Sequence, residues 1–360
     1  MNRKEVAWRI FFIVILTYLF MLSIKLLGTS FKLFGSGFAE KLVTLTTNPF
    51  IGLFIGILAT ALVQSSSVTT SLIVGLTASN ALTIGNAIPM VMGANIGTSV
   101  TNTFVSLAHI KNKKEFKRAF EVATVHDFFN LIAVIIFFPL ELYFHFIEKS
   151  AIYISKIVLG SNLSASFSSP LDFVLNPVSH LIKNLFSSNP YIILIFSVIL
   201  LYFSLNFFVK TIKPIAESEF KHKIHEHIFS RPLRSFSFGL LLTVVVQSSS
   251  ITTSLIVPLA GTGIVSLESI FPYIIGANIG TTFTAVLAAI ASGSTAGAVV
   301  ATSHVLFNVF GAILVFPIRK VPITLSRKLA SICMNSRFFA ILYIVLLFYL
   351  IPVLVIFLFN

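Results

Sequence analysis

The sequence predicts an all-α integral membrane protein of two inverted-topology repeats. Each repeat holds a re-entrant helical hairpin and a broken transmembrane helix, with peripheral transmembrane helices around them. Three observations carry that prediction. The chain of 360 residues is 56% hydrophobic and only 10% charged, where a soluble domain carries about a quarter charged residues. Two apolar stretches, 49–79 and 236–262, are interrupted by Gln-Ser-Ser-Ser, at Gln64–Ser67 and Gln247–Ser250. The chain also repeats itself: Val63–Ile73 reads VQSSSVTTSLI, Val246–Ile256 reads VQSSSITTSLI, and GANIGT stands at both Gly93–Thr98 and Gly276–Thr281. Both pairs lie 183 positions apart. A third pair, His126-x-x-x-Asn130 with Pro139 and His304-x-x-x-Asn308 with Pro317, lies 178 apart, the first copy having an extra basic segment in its loop.

A helix crosses the bilayer core with about 20 apolar residues. Segments of that kind lie at 8–27, 84–108, 118–146, 188–209, 265–291, 297–318 and 338–358. The first follows Arg3, Lys4 and Arg9; no small-residue cleavage site follows its apolar run, so it reads as a span and not as a signal peptide. Each arm flanking a quartet is only about 14 residues long, too short to cross alone, so each interrupted stretch reads as a hairpin of two half-helices. The expected organisation is an N-terminal helix and outer loop (1–48), a first repeat (49–146), an outer loop with a linking helix and a basic loop (147–235), a second repeat (236–320) and a C-terminal helix (321–360).

Charge sets the orientation. With the hairpins counted as no crossing, 19 of the 25 basic residues fall on the side of the N-terminus, in clusters at Arg3–Arg9, Lys111–Arg118, Lys210–Arg234 and Arg319–Arg337. Basic loops stay in the cytoplasm, so the N-terminus is expected inside and the C-terminus outside. Three crossings separate the hairpins, an odd number, so the second repeat is inverted and the two hairpins enter from opposite faces. Interrupted helices meeting at the midplane of inverted repeats are a recurring carrier architecture. The net charge of +13 is thereby a topology signal, and no soluble basic stretch interleaved with aromatics indicates nucleic acid. The single cysteine, Cys333, excludes an intramolecular disulfide and a multi-cysteine metal site.

Irregular backbone at membrane depth is tolerated only where protein buries it or it lines a cavity. Each quartet opens a half-helix whose free N–H groups and positive dipole end favour an anion, while the carbonyls ending the preceding half-helix suit a hard cation. In the GANIGT segments, Gly93, Gly97, Gly276 and Gly280 loosen the helix, and Asn95, Thr98, Asn278 and Thr281 supply oxygens. The competing reading is that these glycines pack helices together. No acidic residue lies in either hairpin, which favours sodium over a proton as coupling ion; His126 with Asp127, and His304, are the proton-path candidates. Serine hydroxyls and helix ends accept any tetrahedral oxyanion, so a sodium- or proton-coupled carrier of sulfate, arsenate or a carboxylate is an open alternative. A channel, or an intramembrane hydrolase with a Ser nucleophile and His126 or His304 as base, uses the same residue types, but opposed hairpins imply occlusion and an enzyme has no need of two inverted copies.

The doubled QSSS motifs, each followed by GANIGT, resemble the type II sodium–phosphate cotransporter family, including its bacterial members, over about residues 49–320. The resemblance implies sodium-driven uptake of inorganic phosphate by alternating access, in the bacterial inner (plasma) membrane, by a carrier and not an enzyme. It implies no cofactor beyond sodium as coupling ion. The phosphate would lie among Gln64, Ser65, Ser66, Ser67, Ser248, Ser249 and Ser250. Sodium would be held by Gln247, Ser248, Thr281 and Thr284, with Asn278, and by Asn95, Thr98 and Thr101 in the first repeat. Relative to vertebrate members the 147–187 region is short, Ser-rich and free of cysteine. The basic loop with His222, His225 and His227 reads as an amphipathic segment lying on anionic lipid, and Asn162-Leu163-Ser164 is a sequon in the outer loop.

Overall fold

The structure, a computed structural model, describes residues 3–34, 48–159, 172–223 and 228–359, and among these there is no strand. His225, His227 and the sequon at Asn162 lie outside the described residues. Helix α1 (Arg3–Phe34) pairs antiparallel with α9 (Pro190–Lys223): Arg9 Nη1 donates to Thr211 O at 3.0 Å, and the Phe34 and Tyr191 rings meet at 4.9 Å at the other end.

The first hairpin is α2 (Pro49–Val63) and α3 (Ser66–Ala78). Asn48 opens α2 by accepting from Phe50 N at 3.0 Å, and Pro49 supplies a first-turn residue that has no N–H to satisfy. With 15 and 13 residues, the arms are roughly 22 and 20 Å long, well short of the ~30 Å hydrocarbon core. The GANIGT segment follows as α4 (Ile84–Gly97) and α5 (Val100–Leu107). A Cβ on Gly56 would overlap Met90 O, one on Gly93 would overlap Leu53 O, and one on Gly97 would meet Ile57 O at 2.6 Å. The contact positions rise together along both helices, so α2 and α4 run parallel. The chain therefore doubles back through α3, and the hairpin begins and ends at one face.

The second repeat has the same frame. Its hairpin is α10 (Pro232–Val246) with a returning arm, α11 (Ser249–Ser254) and α12 (Val257–Thr262), and its GANIGT helix is α13 (Leu267–Ser292). A Cβ on Gly239 would overlap Tyr273 O, and one on Gly276 would overlap Phe236 O. Backbone-to-backbone contact is thus what these glycines provide, so the packing reading prevails over the loosening one.

Helix α6 (Lys113–Phe144) shows the inversion. The base of the second hairpin meets its N-terminal end, where Arg118 Nη1 donates to Thr262 O at 3.4 Å. The base of the first hairpin meets its other end: a Cβ on Gly85 would lie 3.7 Å from Glu148 Oε2 at the start of α7 (Phe146–Leu159). The hairpins enter from opposite faces.

Four expectations are corrected. Only the first GANIGT helix is broken, at Thr98–Ser99, where the Thr98 carbonyl accepts from Ser250 Oγ at 3.2 Å instead of serving its own helix. In the second repeat α13 is continuous, and the break moves to the returning arm between α11 and α12, ahead of Pro258, which has no N–H to donate. The 147–187 region is no plain loop: it holds α7 and α8 (Asp172–Leu185). The segment after α14 (Thr295–Val315) likewise forms a helix, α15 (Lys320–Asn335), before the last span, α16 (Arg337–Phe359). The second hairpin also begins at Pro232, four residues earlier than the hydropathy pattern placed it.

These contacts predict that Gly56→Val or Gly239→Val costs roughly 3 kcal/mol or more, at the upper end for overpacking. Thermal unfolding in detergent should show a large drop in melting temperature for both. Gly28→Ala, where nothing lies within 4 Å of the new Cβ, should leave it unchanged.

Candidate anion and cation site

Each hairpin turns at a glutamine. Gln64 and Gln247 both take the left-handed conformation at φ 56°, with their N–H groups donating to Thr60 O at 2.7 Å and Thr243 O at 2.6 Å. Glycine would adopt this conformation without cost, whereas a side chain there costs of order 1 kcal/mol; the amide is retained against that strain. Ser65 and Ser248 follow in extended backbone and cap the next helices, their Oγ atoms accepting from Val68 N at 3.3 Å and Ile251 N at 3.4 Å. Capping at the third position leaves the N–H groups of Ser66, Ser67, Ser249 and Ser250 without intrahelical acceptors. The threonines that follow return to their own helices, Thr70 to Ser66 O at 2.8 Å and Thr253 to Ser249 O at 2.6 Å.

The two tips touch. Ser67 Oγ donates to Gln247 O at 2.8 Å, Thr98 Oγ1 donates to Ser66 Oγ, and Ser254 Oγ donates to Asn102 Oδ1 at 3.0 Å. Between them lies a cavity of about 230 Å³, lined by Gln64, Ser65 and Ser67 from one tip, Gln247, Ser248 and Ser250 from the other, and Thr101. Tyr202 and Asn206 of α9 close one wall, and among the described residues no charged side chain lines the cavity. Beside the cavity, Val68, Ile73 and Val74 belong to one apolar cluster with Ala285, Ala288 and Ala289 and with Leu201 and Leu205 of α9.

The pairing is not symmetric. Gln64 is exposed and Gln247 buried. Thr98 spends its hydroxyl on Ser66, whereas its counterpart Thr281 donates to Ala277 O at 3.1 Å, and Ser249 Oγ is buried without a partner. Thr101 Oγ1 is likewise buried and unpartnered. Ser67 Oγ lies 3.5 Å from Thr284 Oγ1 as well as beside the Gln247 carbonyl, so three neutral oxygens converge there. Such a set suits a monovalent hard cation, since it offers lone pairs without a charge to desolvate.

Asn95 and Asn278 sit elsewhere. Gly93 and Gly97 face α2, and Asn95, two residues from each, points to the far side of the helix because two residues turn it by about 200°. There His304 Nε2 lies 3.3 Å from Asn95 Oδ1, and Asn130 Nδ2 donates to Asn95 O at 2.7 Å. Asn278 Nδ2 donates to Asn130 Oδ1 at 3.0 Å and to Asn308 Oδ1 at 2.7 Å. These asparagines thus join the four helices α4, α6, α13 and α14 in a buried network behind the tips. Asp127, next to His126, accepts from Tyr343 OH at 2.8 Å. The sequence offers these histidines as proton-path groups, as a hydrolase base, or as His–Asn pairs one helical turn apart that pack helices together; the contacts of His304, Asn130 and Asn308 are of the packing kind. Among the described residues neither histidine bonds to a quartet serine, so no nucleophile–base pair exists for a hydrolase.

Asn278→Ala would strip two buried acceptors of their donor at about 1–3 kcal/mol each. Its melting temperature should fall clearly below that of Thr101→Ala, whose hydroxyl has no partner to lose.

Comparison with known proteins agrees with this arrangement. The Na+/Pi-cotransporter family matches residues 19–164 and 200–346, one hairpin and one GANIGT helix in each segment. Sodium-dependent phosphate transport protein 2B of Homo sapiens is 31% identical over 93% of this chain and 63% of its own length. Sodium-dependent phosphate transport protein 2A is 32% identical in Ovis aries, over 93% of this chain and 65% of its own, and 32% identical in Rattus norvegicus, over 94% and 66%. The chain thus spans just under two thirds of the length of these relatives. No solved structure matches. With both repeats matched and the QSSS tips joined at one cavity, the chain belongs to the Na+/Pi-cotransporter family.

Proposed function

We propose that this protein is a sodium-coupled secondary transporter that imports inorganic phosphate by alternating access. It is a carrier, not an enzyme, and needs no cofactor besides the coupling ion. The observation that carries the reading is the meeting of two QSSS tips, from opposite faces, around one uncharged cavity. The names of its relatives support phosphate and sodium as the cargo. The unpaired N–H groups of Ser66, Ser67, Ser249 and Ser250 and the quartet hydroxyls would hold the anion, with Gln64 at the rim. Gln247 O, Ser248, Thr281 and Thr284 would hold sodium, and Thr98 and Thr101 would serve a further ion or the anion itself.

The site's neutrality supplies the coupling. No cation among the described residues lines the cavity, so a divalent anion entering alone would stay unbalanced at low dielectric, at a cost of several kcal/mol. Sodium ions that enter with it remove that cost, which makes their binding mutually dependent. The contacts Ser67–Gln247 and Ser250–Thr98 occupy groups that the anion would use; bound phosphate replaces them, and the return of the empty carrier restores them. Rocking of one repeat against the other would open the cavity to one face at a time. The charge bias places the N-terminus in the cytoplasm and the C-terminus outside, in the inner membrane of a bacterial cell.

Among oxyanions, the carbonyl of Thr98 at the tips favours phosphate. It only accepts hydrogen bonds, and HPO₄²⁻ has a hydrogen to donate where sulfate has none. In proteoliposomes, labelled phosphate should therefore accumulate only under an inward sodium gradient, with arsenate competing well and sulfate poorly. Uptake that persists in choline and follows a proton gradient would overturn the sodium assignment. Ser66→Ala and Ser249→Ala should each abolish uptake by folded protein; normal transport in either would remove that tip from the substrate site.

A further inference from the structure

A second, larger cavity of about 600 Å³ lies at the base of the second hairpin, away from the tips. Its walls are the start of α10, the start of α13, the end of α14 and the first turns of α15, with Arg319, Lys320 and Arg327 as its cations. Among the described residues Glu268 is the one carboxylate in the lining, and it is paired with Arg327. Two positive charges therefore remain in balance. Arg319 is held over the Phe316 ring, 5.0 Å from its centroid, which fixes the guanidinium at the rim by a cation–π contact. Helix α15, 16 residues long, opens at Lys320 with no side-chain cap, and its first turn is closed by backbone bonds from Val321 N to Ile318 O at 2.8 Å and from Ile323 N to Arg319 O at 3.3 Å. Ser269 and Thr324 supply hydroxyls on the walls. The residue types match the transport cavity in one respect only: that one has hydroxyls and no charge, this one hydroxyls and excess cations.

We propose that this cavity is a binding site for a phosphate-bearing anion, either the headgroup of an anionic phospholipid or free inorganic phosphate. A basic pocket between helices at a membrane face is suited to both. Its occupant would brace the α10–α13 pair, whose backbones touch at Gly239 and Gly276 and whose hairpin carries the Gln247–Ser250 tip. The site is thus placed to act on the second hairpin from its base. The proposal goes beyond the transport reading and is read out by binding alone.

The test uses full-length protein carrying Ser66→Ala and Ser249→Ala, so that the tips do not report. Inorganic phosphate is titrated calorimetrically into lipid-free detergent solution, and phosphatidylglycerol adducts are counted by native mass spectrometry against phosphatidylcholine. At least one probe should bind, and Arg319→Gln/Lys320→Gln should weaken it by about tenfold or more, the loss expected for charge-assisted hydrogen bonds. Thr324→Trp, which fills the cavity and keeps both charges, should do the same and serves where the double variant fails to insert. Loss confined to the phosphate titration identifies a soluble anion, and loss confined to phosphatidylglycerol identifies a lipid headgroup. Binding of neither probe, or binding that survives the folded variants, overturns the proposal.

Discussion

A helix that stops inside a bilayer leaves N–H and C=O groups that hydrocarbon cannot solvate. Everything distinctive about this fold answers that constraint. Gln64 and Gln247 end one arm in the left-handed conformation with their N–H groups turned back to Thr60 and Thr243, and Ser65 and Ser248 cap the next. What remains unsatisfied at each tip is met in part by the other tip, through Ser67 to Gln247 and Ser250 to Thr98. Each hairpin tip thus meets part of its hydrogen-bonding demand in the other repeat.

The tips can meet only because their supports are rigid. Gly56 with Gly93 and Gly239 with Gly276 let α2 and α10 ride directly on the backbones of α4 and α13. On the far side of those helices, Asn95 and Asn278 tie α4 and α13 to α6 and α14 through His304, Asn130 and Asn308. One GANIGT segment therefore serves two contacts, glycines toward the hairpin and asparagine toward the scaffold. The asymmetry between repeats, with Thr98 drawn to Ser66 while Thr281 stays on its own helix, gives two nearly identical sequences different roles at one cavity.

Much of this was legible before any contact was known. The quartets identified the hairpins because four polar residues inside an apolar stretch have no other tolerable geometry. The basic clusters gave the expected inversion by parity alone, and the bases of the two hairpins lie at opposite ends of α6. The destination of the GANIGT asparagines was not legible in the same way. Asn95 and Asn278 have the oxygens a cation needs, and composition cannot say which face of a helix meets the site. A helical-wheel argument from the glycines would have turned them away from the tips, but only once it was known that the glycines face α2 and α10.

The sequence by itself determined the solvent, the number of repeats and their opposed orientation, because those follow from hydropathy, exact recurrence and charge, which are properties of the chain's order. Tertiary structure alone decided that the first GANIGT helix breaks and the second does not, that the second hairpin's return arm yields instead, and that one tip glutamine is buried while the other is exposed. Each of these depends on a hydrogen bond or a close approach between residues far apart in sequence. Ser250 takes the Thr98 carbonyl across 152 positions, a contact no local pattern encodes.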